Sequence, residues 1–192
     1  MAIQKSEVTN RMLVDYELRR LCKEGFLEPW EPALINPASI DIRIGHTLKR
    51  ERFPLWNLLR RLLRMPLLDE WVDVDLTQYS EKQPYWVLPF QFVLVASLET
   101  FKTPDTVTAE FRLKSSSARI GWNNLLAMHI DPGFWNSKLT KELVNHRWFK
   151  RLGLWPGQRL GQVLVTRCNE PEASYRATGR YNNDATVMGS KG

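Results

Sequence analysis

The chain has 192 residues, 43% hydrophobic and 25% charged, with a formal net charge of +6. This is enough apolar material for one core and the length of one domain, which argues against a disordered or multidomain chain. The positive balance favours an anionic partner: nucleotide, nucleic acid or membrane surface.

Met12–Gly25 is predicted as a helix. Leu13, Tyr16, Leu18, Leu21 and Cys22 recur at helical spacing, and Gly25 ends the run. FLEPWEPALINP follows, and its three prolines make it an extended connector. In Ala38–Gly45, Ile40, Ile42 and Ile44 alternate with Asp41 and Arg43, the pattern of a half-buried strand. Asp41 and Arg43 share its polar face, either as a surface ion pair or as part of a structured polar face near a site.

Lys49–Arg64 carries six cations against Glu51 alone. Within it begins Phe53–Leu68, a basic, apolar, helix-like segment bounded by Pro54 and Pro66. Its leucines predict a helix packed on the body of the protein; the alternatives are a membrane-surface or partner-binding helix.

Beyond Trp71 the chain reads as β. Val72–Leu76 and Thr106–Leu113 alternate, and Trp86–Leu98 is strand material broken by Pro89. Leu125–Ile130, Lys138–Val144 and Gly161–Thr166 are further short strands, the last preceded by a Pro156-Gly157 turn. Short strands with Pro/Gly punctuation and little helix predict an all-β barrel or sandwich. The tail from Glu170 is polar and reads as a flexible end, although Tyr175, Arg180 and Tyr181 suit closure over a ligand.

Cys22 and Cys168 lack metal-ligand spacing and are too few for a disulfide scaffold, so plain thiols in a reducing cytoplasm are expected. MAIQKSEVTN has no apolar signal-peptide region, and no run reaches the ~18–20 apolar residues of a membrane span. The His-x-Glu and Pro-Cys-x-x-Cys signature of a zinc nucleobase deaminase is absent. So are a P-loop, a GxGxxG and a nucleophile elbow.

The stretch from Lys114 to Asn145 concentrates the remaining chemistry. Ser115, Ser116 and Ser117 lie between Lys114 and Arg119, a composition suited to phosphate oxygens. An Asp131-Pro132-Gly133 turn and a lone carboxylate in a β-like run, Glu142, follow; the latter suits proton transfer. Taken singly, these pieces also read as a loop, a turn and a surface residue.

INPASIDIRIG (Ile35–Gly45), KSSSARIG (Lys114–Gly121), HIDPGF (His129–Phe134), TKELVN (Thr140–Asn145), PGQRLGQ (Pro156–Gln162) and the Tyr175…Arg180-Tyr181 tail occur in the order found in dCTP deaminases. From Met12 to Tyr181, outside the Phe53–Leu68 insertion, the chain resembles that group of the trimeric dUTPase-like superfamily. The resemblance implies a single mainly-β domain: a distorted dUTPase-like barrel with an N-terminal helix, a helical basic insertion near 50–68 and a nucleotide-closing tail near 170–192. It implies a homotrimer with sites between subunits, and zinc-independent hydrolytic deamination of dCTP or a modified deoxycytidine nucleotide. A bifunctional deaminase–diphosphatase and a non-catalytic nucleotide-sensing trimer are the alternatives.

By the same resemblance, Glu142 is the catalytic acid/base, with Arg119 and Ser115 beside the pyrimidine and its attacking water. Lys114, Ser115, Ser116, Tyr175 and Arg180 contact phosphates, Ala127 lends backbone groups, and Asp131 forms the base-and-sugar wall. Asp184 lies where a triphosphate-contacting glutamine is usual. Mg2+ rides on the triphosphate, and no stable nucleic-acid or membrane partner is expected. Lys114 replaces a usual arginine. Trp135 and Asn136 replace a glycine, and Lys141 stands before Glu142 where an apolar residue is usual. Strand alternation sends Lys141 and Glu142 to opposite faces.

Overall fold

In the computed structural model, residues 10–52, 54–66, 70–125 and 129–191 are described. The first elements are β1 (Arg11–Met12), α1 (Asp15–Lys23), β2 (Leu27–Glu28), a 3-10 turn (Pro32–Leu34), β3 (Ile35–Asn36), β4 (Ser39–Glu51) and α2 (Pro54–Leu62). The middle of the chain supplies β5 (Trp71–Asp75), β6 (Tyr85–Val87), β7 (Phe92–Lys102), β8 (Val107–Leu113), α3 (Ser115–Ile120) and β9 (Trp122–Asn123). The rest gives β10 (His129–Ile130), β11 (Trp135–Asn145), β12 (Leu152–Leu154), β13 (Arg159–Arg167) and α4 (Tyr175–Thr178).

The main sheet runs β10-β8-β13-β4-β7-β11-β9, with β1, β2, β3 and β5 pairing onto it, and β6 and β12 form a separate ribbon. One buried cluster joins α1 to Ile40, Ile42, Phe101, Phe111 and Val163. A second gathers Ile44, Leu48, Val93, Val95, Trp122 and Leu143. Leu113 packs against both.

The predicted helix starts late because Arg11 and Met12 pair with β13 instead. Glu17 then caps α1 by accepting from the Val14 amide at 3.4 Å and from Arg11 at 2.6 and 2.7 Å. Gly25, at φ +93°, closes it. Pro89 splits Trp86–Leu98 into β6 and β7, as its missing N–H demands. Of the predicted Leu125–Ile130 strand, only His129 and Ile130 are strand among the described residues.

Three expectations change. The Ala38–Gly45 strand runs on to Glu51 and lies in the interior, between β13 and β7. Its Asp41, 1% exposed, does not pair with Arg43. Asp41 accepts from Lys114 Nζ at 2.5 Å and Asn36 Nδ2 at 2.8 Å, while Arg43 turns to Glu99 at 2.7 Å and Glu31 at 2.6 Å. The insertion is helical, but α2 is not packed on the barrel: Leu55, Leu58, Leu59 and Leu62 are all exposed. The serine triplet is not a loop but the first turn of α3, closed by Gly121 at φ +113°.

Candidate functional site

A bulge in β7 lies beside the functional part of β11. Lys138 faces Thr100 of β7, but Thr140 faces Ala96, so β7 carries two extra residues between these pairs. The Ser97 hydroxyl holds the bulge, donating to the Glu99 carbonyl at 2.6 Å and accepting from the Leu139 amide at 2.8 Å. Gly45 is required opposite: a Cβ there would meet the Ser97 carbonyl oxygen at 2.5 Å. Beyond the bulge, Thr140 and Glu142 point outward, and Lys141 and Leu143 point into the core.

Thr140 and Glu142 line a cavity of about 460 Å³. Lys138, His129, Asp131, Tyr175, Tyr181 and Asp184 also line it, and Trp71, Phe92, Leu94 and Met188 form an apolar wall. Burial pushes the Glu142 carboxyl above its ordinary range; its own backbone amide and the Lys141 charge oppose this. Arg119 takes no part in that balance. Asp131 lies 3.2 Å from His129 Nε2.

Lys141 is 2% exposed, and its ammonium nitrogen has no hydrogen-bond partner. Burial pushes it down to about 7, against the attraction of Glu99. Phe111 lies 5.9 Å from the nitrogen.

The C-terminal segment builds the other wall. Ser174 caps α4 and donates to Asp105 at 2.5 Å, and the Tyr175 amide donates to the Pro132 carbonyl at 3.2 Å. Gly133 permits this approach. Its φ is +85°, and an added Cβ would collide with the Ser174 hydroxyl and come within 2.6 Å of Asp105. Onward, Asn182 accepts from the Trp135 amide at 2.9 Å, Asp184 accepts from the Lys138 amide at 2.8 Å through its backbone carbonyl, and Met188 donates to Thr140 at 3.2 Å. Lys191 holds the Asp184 carboxylate at 2.8 and 2.9 Å.

Among the predicted site residues, the cavity thus gathers Asp131, Glu142, Tyr175 and Asp184. Ser115, Ser116 and Arg119 are exposed on α3, and neither they nor Lys114 line it. Arg180 is exposed and not in the lining, and Ala127 lies outside the described residues. Lys138 and Thr140 escaped the sequence reading, although both stand at even spacing from Glu142, which the period of two could have flagged. Asp41 as the anchor of Lys114 is a contact across 73 positions that no local pattern announces.

Comparison with known proteins places this geometry. A family model described as dCTP deaminase-like matches residues 12–168. The "dCTP deaminase, dUMP-forming" of Corynebacterium efficiens is 30% identical over 188 residues, covering 94% of each chain. That of Mycobacterium tuberculosis is 32% identical over 177 residues, 88% of this chain and 90% of the relative. The solved 2'-deoxycytidine 5'-triphosphate deaminase from Agrobacterium tumefaciens shares the fold, with TM-score 0.61 at 21% identity, over 83% of this chain and 49% of that one. This chain therefore spans about half the length of that solved chain. By its match from residue 12 to residue 168, the protein belongs to the dCTP deaminase-like family.

Proposed function

We propose that the protein hydrolytically deaminates dCTP, or a modified deoxycytidine nucleotide, to the uracil nucleotide and ammonia. The observation that carries this is Glu142, half-buried in the cavity wall with its carboxyl pushed upward by burial. A carboxyl whose neutral form is favoured in this way can take a proton and give it back during turnover. Water loses a proton to Glu142 as its oxygen bonds to C4. Glu142 passes that proton to N3, then assists transfer of a second to the amine, and the C4–N bond breaks. Cytosine plus water becomes uracil plus ammonia, through side chains alone.

The cavity of one chain lacks the cations and hydroxyls of α3. In a homotrimer, α3 of a neighbouring copy would bring Ser115, Ser116 and Arg119 to the nucleotide held by Glu142, Asp131 and Tyr175. Arg119 and Ser115 would then stabilise charge on the attacking oxygen. Lys114, fixed by Asp41, would present its remaining donors to phosphate. Among the described residues no three His, Cys, Asp or Glu gather as a metal cage. Mg2+ would arrive on the triphosphate as part of the substrate.

A second reading extends the first. The curated relatives cited above are named dUMP-forming, and Asp131 in the same cavity lining supplies a second carboxylate. Cleavage of the triphosphate with another water would yield dUMP and pyrophosphate. Incubation with Mg2+ and dCTP, read by mass, separates the cases: dUTP and ammonia, or dUMP, pyrophosphate and ammonia. Glu142→Gln should lower turnover by at least about 10³-fold while nucleotide binding stays within a few-fold. Intact dCTP and intact modified cytosine nucleotides with the parent protein would defeat the proposal.

A further inference from the structure

One end of the barrel carries two features that deamination does not use. The first is α2. Leu55, Leu58, Leu59 and Leu62 recur on one side of this helix, with exposures of 59, 54, 46 and 74%. The second is the loop from β11 to β12, where Trp148 is 74% and Phe149 96% exposed.

The register puts both at the same end. The Arg52 amide donates to the Glu70 carbonyl, anchoring the two ends of the insertion together. Two residues before Arg52, Arg50 pairs with Val93 of β7, and Phe92 pairs with Val144 of β11. Phe90 donates its amide to the Asn145 carbonyl at 2.8 Å and sets its ring 5.2 Å from that of Trp148.

Charge at this end is mainly positive, with Glu51 and Glu70 at the base of the insertion. No Asp or Glu occurs from Arg52 to Pro66, where Arg60, Arg61 and Arg64 lie, nor from Asn145 to Arg167, where Arg147, Lys150 and Arg151 flank the exposed aromatics. We propose that this end docks on the surface of an anionic lipid bilayer, against the expectation of no stable membrane partner. Leucines and aromatic tips enter the headgroup–acyl boundary, and the cations flanking them meet lipid phosphates. A nucleic-acid strand would use the cations and rings but leave the leucine face in water. No described helix is long and apolar enough to cross a membrane, so the attachment is peripheral.

The test is flotation of the whole protein with phosphatidylcholine vesicles containing about 30% phosphatidylglycerol, which separates binding from aggregation. Flotation should be at least about tenfold weaker with phosphatidylcholine alone and should collapse near 0.5 M salt. The Trp148→Ser/Phe149→Ser and Leu58→Ser/Leu62→Ser double variants should each lose about tenfold in flotation and keep parental turnover of nucleotide. No flotation on the anionic vesicles, or flotation unaltered in both variants, would overturn the proposal. So would a changed oligomer mass in the leucine variant without flotation of the parent, which would assign the face to a second copy.

Discussion

Lys141 and Glu142 are consecutive in β11 yet occupy opposite worlds: the ammonium is sealed in the core without a hydrogen bond, and the carboxyl borders the cavity. Replacing the buried amine by an isosteric apolar side chain should stabilise the fold. Lys141→Met is expected to gain about 1–3 kcal/mol near neutral pH, read by urea denaturation.

That gain should depend on pH in a known direction. The folded Lys141 sits near 7, below its ordinary 10.5, so the unfolded chain binds more protons between those values. Its destabilising contribution is complete below about 7 and is relieved as pH rises toward 10.5. The advantage of Lys141→Met over the parent should therefore shrink from pH 7 to pH 10. An advantage constant across that range would mean that the amine is charged in the folded state throughout.

Glu142 and Arg119 are proposed to meet only between copies. Glu142→Gln and Arg119→Ala, each inactive alone, should then complement one another when refolded together. Random mixing restores about a quarter of sites, each having one intact Glu142 and one intact neighbouring Arg119. Absence of any recovered ammonia release in verified mixed oligomers would place both residues in one protomer's site.

Gly133→Ala should cost about 1–3 kcal/mol, because it combines a left-handed backbone with a collision at Ser174. The damage should appear first in the C-terminal segment. Limited proteolysis should cut around residues 170–190 faster in the variant, while the barrel survives. Equal cutting rates would show that the Ser174–Asp105 tie does not depend on this glycine.

Asp184 brings a negative charge into the cavity wall, compensated by Lys191. If the triphosphate passes nearby, Asp184→Asn should lower KM for dCTP about fivefold with kcat little changed, since about 1 kcal/mol is the scale of a partly screened charge contact. Lys191→Ala should move KM the other way. Opposite or null changes in both variants would place the phosphates away from this carboxylate.

Much of this architecture was legible in the sequence, and the exceptions have physical causes. The period of two marked β4 and β11, because one-sided burial writes itself into alternation. The same rule put Lys141 inward from position alone. It failed for Asp41, because a strand interior on both faces can hide a carboxylate only if distant Lys114 and Asn36 arrive to satisfy it. The α3 helix was masked by three serines, which favour loops when no neighbouring context stabilises a turn. The leucines of α2 suggested burial, but the helix leaves the barrel between two paired strand ends and finds no core to enter. At the cavity, the motif order named Glu142, Asp131 and Tyr175. The way the last segment is sewn along β11 rests on backbone bonds, which sequence patterns do not encode.

The two additional residues of β7 at Ser97–Glu99 leave strand parity intact, because an even insertion returns the strand to the same side of the sheet. Strand alternation has only two settings, and with Ser137, Lys141 and Leu143 turned inward on both sides of the irregularity, a carboxylate, not its lysine neighbour, looks into the cavity. Excising one residue there would invert the pairing on one side of the kink. Chemistry would be lost without any functional side chain having been altered.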